Sequence, residues 1–580
     1  MKTAGMKKIL LFFSAFIASA VMLTVIQAPI SWSFLAWVAL VPFILICSPA
    51  VKPLPLALAA YLISLCYWLG NLYWMYTVTP LGWLAFCMYT ALLWPIVAVC
   101  LRYCRMKKVP LVLVLPVLIV GAERLQGLFL GGFFWRFLAH SQYSNITLIQ
   151  IADIFGAGGL SFLIAMVNGL VAELIIAAGE KNIFKIKNFL KTALVCAALV
   201  ATIIYGRWRI NQSPKYVTQG PLVGTVQTNV PQSVKQSFQA SDVILDGLLK
   251  NSRASAEAGA ELIVWPETMV QATLDPKVLR RLGPSYHCKI IDETLREHSK
   301  NTAFVLVGAY GGTAEIQEDL TIHLAQRYNS AFLYRPDGRQ SEKKYSKIHL
   351  VPFGEFVPFR KSFPLLYNLL MKFTPYDYDY TLDAGTEYTI FEMTGGEDQG
   401  SRVYKFSVMI CYEDAVPAIA RRFAINQRGE KRLDWLVNIS NDGWFVRFKD
   451  GEVFPSTELG QHAAICVFRA VENRLAVLRS VNTGISCLID TLGHIHNGFL
   501  AGTLPHQAMA RKGCAGWLVD KVPIDKRTTF FSKYGQWLDF CCAVCLVSLI
   551  IVPPLGRFVR TKKYTTRLLG KPNEKYVQKS

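Results

Sequence analysis

Apolar runs of close to 20 residues fill the first part of the chain, at roughly 8–28, 32–50, 54–77, 81–101, 109–127, 159–178 and 189–206, and another lies near 535–553. About 20 consecutive apolar residues is the length a helix needs to cross a bilayer. The pattern predicts a polytopic α-helical membrane domain of about eight spans, the second of them interrupted by Ser33 and Pro42.

Between about 207 and 533 no run is long enough to span, and the pattern changes to short β-rich runs alternating with helical stretches. Strands are expected at 222–229, 261–267, 302–310, 329–338, 406–414, 434–442 and 486–493, with helices near 240–258, 287–300, 415–427 and 457–474. Continuous apolar strands framed by helices describe a sheet covered by helices, hence an α/β layered domain. The expected organisation is a membrane domain over 1–206, an α/β domain over 207–533, a last span over 534–553 and a basic tail over 554–580.

Composition agrees with two unlike parts: 52% of the 580 residues are hydrophobic and 17% charged. The net charge of +21 is concentrated in a few places. Arg102, Arg105, Lys107 and Lys108 lie between the fourth and fifth runs; Lys181, Lys185, Lys187 and Lys191 lie between the sixth and seventh; Arg557, Arg560, Lys562, Lys563 and Arg567 lie in the tail. The linkers "QAPIS" and "TVTP", after the first and third runs, carry no charge. Under the positive-inside rule both termini are cytoplasmic and the α/β domain lies on the opposite side. The excess is therefore a topology signal, and it gives no reason to expect a nucleic-acid partner. Residues 1–28, with Lys2, Lys7 and Lys8 ahead of an apolar stretch, also fit a cleaved signal peptide. The length of that stretch, and the spans that follow, favour a first membrane helix.

The fourteen cysteines show no CxxC pair and no metal-ligand spacing with histidine, so no metal is expected. Most lie in apolar runs; the α/β domain holds Cys288, Cys411, Cys466, Cys487 and Cys514. On an oxidising side an odd number leaves at least one thiol free.

Several strands end in a reactive or polar group, where crevices of α/β sheets open. Glu267 follows "LIVWP", Cys411 follows "SVMI", and Asn441–Asp442 follow "VNIS". Lys347 opens "KIHLVPFGEFVPF", an apolar loop with one acid, Glu355, in which a lysine should be desolvated. Each alone reads as a solvated acid, a snorkelling lysine or an inert core thiol. Together, and in this order, Glu267 in "WPE", Lys347 before "HLVPFGE", Cys411 in "CYE" and the later "SNDGWF" resemble the nitrilase, or carbon–nitrogen hydrolase, superfamily with its Glu-Lys-Cys triad. With flanking spans, "HLVPFGEFVP", "GFFWRFLAHSQY" and "IADIFGAGGLSFL" are similar to the apolipoprotein N-acyltransferases of the bacterial inner membrane.

That resemblance implies an αββα sandwich for residues 220–500 and a catalytic domain facing the periplasm. It implies Cys411 as nucleophile, Glu267 as base and Lys347 as the charge beside the oxyanion, with Glu355, Tyr412 and Glu413 in support. It further implies a phospholipid acyl donor, a diacylglyceryl-apolipoprotein acceptor, a thioester intermediate, ping-pong kinetics and no cofactor. Gln236 departs from the family pattern, since many members carry a tryptophan there. If that tryptophan holds an acyl chain, another residue does so here. Two alternatives share the motifs: a membrane-anchored amidase using water as second nucleophile, and a transporter or receptor with an inactive hydrolase-like domain, for which Glu123, Arg124 and Glu173 would form the intramembrane path. The segment "SFPLLYNLLMKFTPYDYDY" reads either as an arm touching the bilayer or as a core helix. Trp74, Trp83 and Trp135 read as an interfacial belt.

Overall fold

A computed structural model of the chain describes residues 2–235, 238–316, 322–360, 362–374, 380–395 and 402–551. Gln236 and the basic tail lie outside them. Among the described residues, four helices are long and apolar enough to cross a membrane: Pro53–Asn71, Pro80–Met106, Ala157–Gly179 and Ile186–Asn211. Apolar side chains such as Leu58, Leu62, Leu190 and Ile204 remain exposed on them, as expected of surfaces that face lipid. The helix Lys2–Val25 and the shorter Leu111–Gln126 and Trp537–Ile551 occupy the other runs.

The second run does not form one long helix. It divides into a short turn of helix, Ser33–Trp37, and the helix Val41–Ile46. Pro42 lacks an N–H and is tolerated in a first helical turn, not in a continuous interior. The intramembrane acids have structural partners: Glu123 accepts the Leu138 N–H at 2.7 Å, and Glu173 pairs with Lys191 at 2.7 Å.

The α/β part contains two larger sheets. The strands, in chain order, are β1 (Val217–Gln227), β2 (Leu262–Val264), β3 (Phe304–Ile316), β4 (Ile322–Tyr334), β5 (Gln340–Ser346), β6 (Phe391–Gly395), β7 (Arg402–Ile410), β8 (Trp435–Ser440), β9 (Arg447–Lys449), β10 (Glu452–Phe454), β11 (Ala476–Val481), β12 (Cys487–Ile489), β13 (Ala501–Gly502) and β14 (Gly516–Asp525). The first sheet runs β13-β14-β1-β2-β3-β4-β5, the second β12-β11-β8-β7-β6, and β9 and β10 form a separate pair. Neighbours β1–β2–β3 and β7–β8–β11 are parallel.

Both faces of the first sheet are buried, and the two-residue period of a strand decides which residue goes where. Leu262, Val264 and Leu306 enter the core shared with the second sheet. Ile263, Val305 and Val307 pack outward with Leu248, Ile291 and Leu295 from the helices Phe238–Glu257 and His287–Lys300. Across the sheet interface the Ser480 hydroxyl lies 3.0 and 2.9 Å from the carbonyl oxygens of Val226 and Val264. The helices Pro417–Ala424 and Thr457–Asn473 pack with the second sheet's residues, giving α-β-β-α layering. All fourteen cysteines are free thiols.

Candidate active site

The parallel strands carry the expected polar groups out of the core at one end. After β2, Trp265 turns into the outer core and Pro266 leads to Glu267, which is 5% exposed. One Glu267 oxygen accepts the Asn329 amide at 2.6 Å, and the other accepts the Asn441 N–H at 2.8 Å. Both lone-pair faces are thus fixed, one by a residue within β4 and the other by the residue that follows β8.

Lys347 directly follows β5 and is 1% exposed. Its N–H donates to the Asn329 carbonyl at 2.8 Å, and its own carbonyl accepts the Gly385 N–H at 2.7 Å. The ammonium lies 2.8 Å from both oxygens of Glu355 and 3.7 Å from Glu267. Burial alone would lower its pKa; the negative charges of Glu355 and Glu267 outweigh that and hold it above the ordinary lysine value. Lys347 therefore stays charged. Glu355 is held in turn by the Val351 N–H at 2.8 Å.

Cys411 directly follows β7 with φ +52°, a left-handed conformation that costs a non-glycine residue about 1 kcal/mol or more. The surroundings enforce it. Glu413 accepts the Ile410 N–H at 2.8 Å, and the Asn438 amide donates to the carbonyls of Met409 and Cys411 at 3.3 and 3.2 Å. The chain then makes one tight turn, Cys411–Ala415. Burial pushes the Cys411 thiol well above its usual pKa, Glu267 adds to that, and Lys347 opposes it. A thiol so placed keeps its proton at neutral pH until a base removes it.

Glu413 faces away from solvent and ties the Cys411 turn to the Lys347 loop. It accepts the Tyr345 hydroxyl at 2.8 Å and the N–H groups of Ile348 and His349 at 2.8 and 3.0 Å. Burial raises its pKa to about 7, against the pull of those backbone donors. Tyr412 turns instead to the membrane part: its hydroxyl accepts the Phe134 N–H at 2.7 Å and lies 3.1 Å from the Gly132 carbonyl. Its ring stacks on Trp135, with centroids 6.3 Å apart. Trp135 and Trp74 are consequently buried against the α/β part, correcting their expected place in an exposed belt. The helix Pro364–Met371, within the segment read as arm or core, has no buried residue, which favours the arm; residues 375–379 lie outside the described ones.

Four residues escaped sequence reading. Asn329 bridges Glu267 and Glu355, and Tyr345 holds Glu413. Lys235 is buried, donates to Thr268 at 2.7 Å, and has its pKa lowered to about 8 by burial, with Glu267 pulling the other way. His462 lies 2.8 Å from Asp414 and 3.2 Å from Asp442, behind the Cys411 turn. Only Asn329 left a signal, a polar residue opening an apolar strand.

Asp442, Glu458 and His462 place potential ligand atoms within 4.8 Å of one another. The group does not suit a metal. Although burial opposes it, Asp414 and Asp442 raise His462 to about 10, and an imidazolium offers no lone pair. Arg479 adds a second cation against Asp414.

These features define a membrane-embedded protein whose α/β part gathers a carboxylate, a lysine and a cysteine just beyond strands β2, β5 and β7. Residues 222–501 match the carbon–nitrogen hydrolase family model, and residues 19–170 match the apolipoprotein N-acyltransferase N-terminal domain. The chain is 32% identical to an apolipoprotein N-acyltransferase of Geobacter metallireducens over 532 residues, 88% of either chain. It is 28% identical to one from Bdellovibrio bacteriovorus over 416 residues, 70% of this chain and 67% of that one. An amidase structure from Nesterenkonia sp. is similar over 53% of this chain and 92% of its own, at 15% identity and a TM-score of 0.31. The chain belongs to the apolipoprotein N-acyltransferase family. With its four spanning-length helices, it is a bacterial membrane protein.

Proposed function

We propose that the chain moves an acyl group from a membrane phospholipid to the free α-amine of the diacylglyceryl-modified N-terminal cysteine of apolipoproteins. The Cys411 thiol attacks the donor ester while Glu267 takes its proton. Lys347 faces the oxyanion of the tetrahedral intermediate, and its charge stabilises it where water is excluded. Collapse breaks the ester C–O bond, Glu267 returns the proton to the leaving lysophospholipid oxygen, and a thioester remains on Cys411. The acceptor amine then attacks the thioester, Glu267 takes the amine proton, and the thiol is regenerated with its proton. Glu355 keeps the ammonium of Lys347 in place. Glu413 and Tyr412 position the nucleophile turn.

The observation that carries this reading is the clasp of Tyr412 by Phe134 and Gly132. It seats the nucleophile directly on the membrane domain, which a water-soluble amide substrate would not need. With the charge pattern, the reading extends to about eight spans within 1–206 and 534–553, a periplasmic catalytic domain over 207–533, and cytoplasmic termini with the tail 554–580.

The test is intact mass after incubation with phospholipid alone. An acyl-sized increase, labile to neutral hydroxylamine, discharged by a lipopeptide with a free N-terminal amine and absent in Cys411→Ala, is the expected result. No adduct, or an equal adduct in the variant, would put the amidase reading ahead.

A further inference from the structure

A cavity of about 330 Å³ opens where the membrane helices meet the α/β part, and none of Glu267, Lys347 and Cys411 lines it. Arg124, from the last turn of the helix Leu111–Gln126, and Arg421, from the helix Pro417–Ala424, line it together with Ala418, Tyr534, Trp537 and Phe540. No carboxylate lines it.

The two guanidinium groups are held by neutral partners. Arg124 donates to the Gln536 side chain at 3.0 Å, and its buried Nε has no partner among the described residues. Arg421 donates to the backbone carbonyls of Ser532 and Lys533 at 2.9 and 2.6 Å. Among the described residues neither makes an ion pair within 4.0 Å. The nearest acid acting on Arg124 is Asp539. That carboxylate lies against Gly158 of the helix Ala157–Gly179, where an added Cβ would lie 2.3 Å from its oxygen, and Arg469 acts on it as well, so it is shared and does not balance both guanidinium groups. Two partly desolvated arginines with one carboxylate between them leave a net positive charge, and a phosphate, which accepts several charge-assisted bonds, offsets its cost.

The cavity's outer wall begins an apolar stripe. Trp537, Phe540, Val544, Val547 and Ile551 are all exposed and follow one another at three- and four-residue steps, so they share one face of the helix Trp537–Ile551. Aromatic residues at the head of such a stripe mark the headgroup level of a bilayer. Cations inside and an apolar track leading away suit an anion that carries acyl chains.

We propose that this cavity binds the phosphate of a membrane phospholipid, held as a resident ligand apart from the acyl donor, with its chains along the Trp537–Ile551 stripe. The proposal does not depend on the reaction assigned to Cys411. It is tested on the delipidated full chain carrying Cys411→Ala, by native mass spectrometry. Phosphatidylglycerol and the matching diacylglycerol are titrated in turn, and inorganic phosphate is added as competitor. The expected result is one phosphatidylglycerol whose affinity falls at least about tenfold in Arg124→Gln and is largely restored in Arg124→Lys, with diacylglycerol binding at least about tenfold more weakly. Arg124 is the cleaner site because Arg421 also braces two backbone carbonyls. Unchanged phosphatidylglycerol binding in Arg124→Gln, or equal binding of diacylglycerol, overturns the proposal. Binding of inorganic phosphate with no phosphatidylglycerol retained overturns it in favour of a free-anion site. The same titration with Cys411 intact should retain the lipid whether or not a thioester forms, which separates this site from the proposed chemistry.

Discussion

The hydroxyl of Tyr412 accepts the backbone N–H of Phe134 at 2.7 Å, joining the residue next to Cys411 to a loop of the membrane part. The same oxygen lies 3.1 Å from the Gly132 carbonyl, so one phenol closes two backbone groups. Tyr412→Phe leaves both unmatched in a buried place, at a cost of about 1–3 kcal/mol. We expect acyl-enzyme formation to slow by about tenfold or more while the secondary structure persists. Single-turnover mass measurements read the rate and circular dichroism the fold; an unchanged rate would remove Tyr412 from the positioning machinery.

Lys347 offers a second handle, because Glu355 holds it at 2.8 Å and raises its pKa. Glu355→Gln keeps the shape and removes the charge, so the lysine loses its proton more readily. If the reaction needs the ammonium, the alkaline limb of the pH–rate profile moves to lower pH. The rate below that limb should fall by about tenfold. A profile with an unmoved alkaline limb argues that Lys347 acts without its charge.

His462 faces Asp414, Asp442, Glu458 and Arg479. Burial keeps Glu458 well above the ordinary glutamate range, whereas His462 and Arg479 overcome burial to hold both aspartates low. The folded-state pKa of His462 is near 10, against about 6.5 unfolded. The native state therefore binds the extra proton, and its contribution is complete below about pH 6.5. It is lost as pH rises toward 10. Thermal unfolding in detergent should show this decline, and His462→Gln should flatten it. Parallel slopes in the two proteins would refute the linkage.

Much of this was legible along the chain because it depends on local order. Glu267 and Cys411 follow strands that apolar runs mark, Lys347 opens an apolar loop, and the α/β layering follows from continuous strands between helices. What stayed hidden arises from pairing between distant segments. Asn329 becomes a clamp only when β4 lies between β3 and β5, and Tyr345 meets Glu413 only across two sheets. Strand β11 went unseen because Arg479 interrupts its apolar pattern, yet Arg479 is fully buried against Asp414. The second apolar run misled by composition, since Pro42 could begin a short helix but could not sit inside a long one. Trp135 looked interfacial because only the assembled fold supplies Tyr412 to cover it.

Gly308, in β3, passes so close to the Glu267 turn that a Cβ there would lie 2.5 Å from the Pro266 carbonyl and 2.8 Å from the Glu267 Cα. Both are backbone atoms, so neither can swing aside as a flexible side chain would. Gly308→Ala must displace the strand or the turn that carries the carboxylate. Overpacking of this kind costs about 1–3 kcal/mol, and a shift of about 1 Å in a reacting group costs about a hundredfold in rate. Gly247 provides the contrast, since a Cβ there meets nothing within 4 Å in the helix Phe238–Glu257. Alanine in such a helical position stabilises by about 0.5–1 kcal/mol. We therefore expect Gly308→Ala to lower both Tm and the acyl-enzyme rate, and Gly247→Ala to raise Tm slightly with the rate unchanged. A Gly308→Ala protein that keeps the wild-type rate would mean that Glu267 tolerates displacement, and the exact placement of that carboxylate would then not limit acyl transfer.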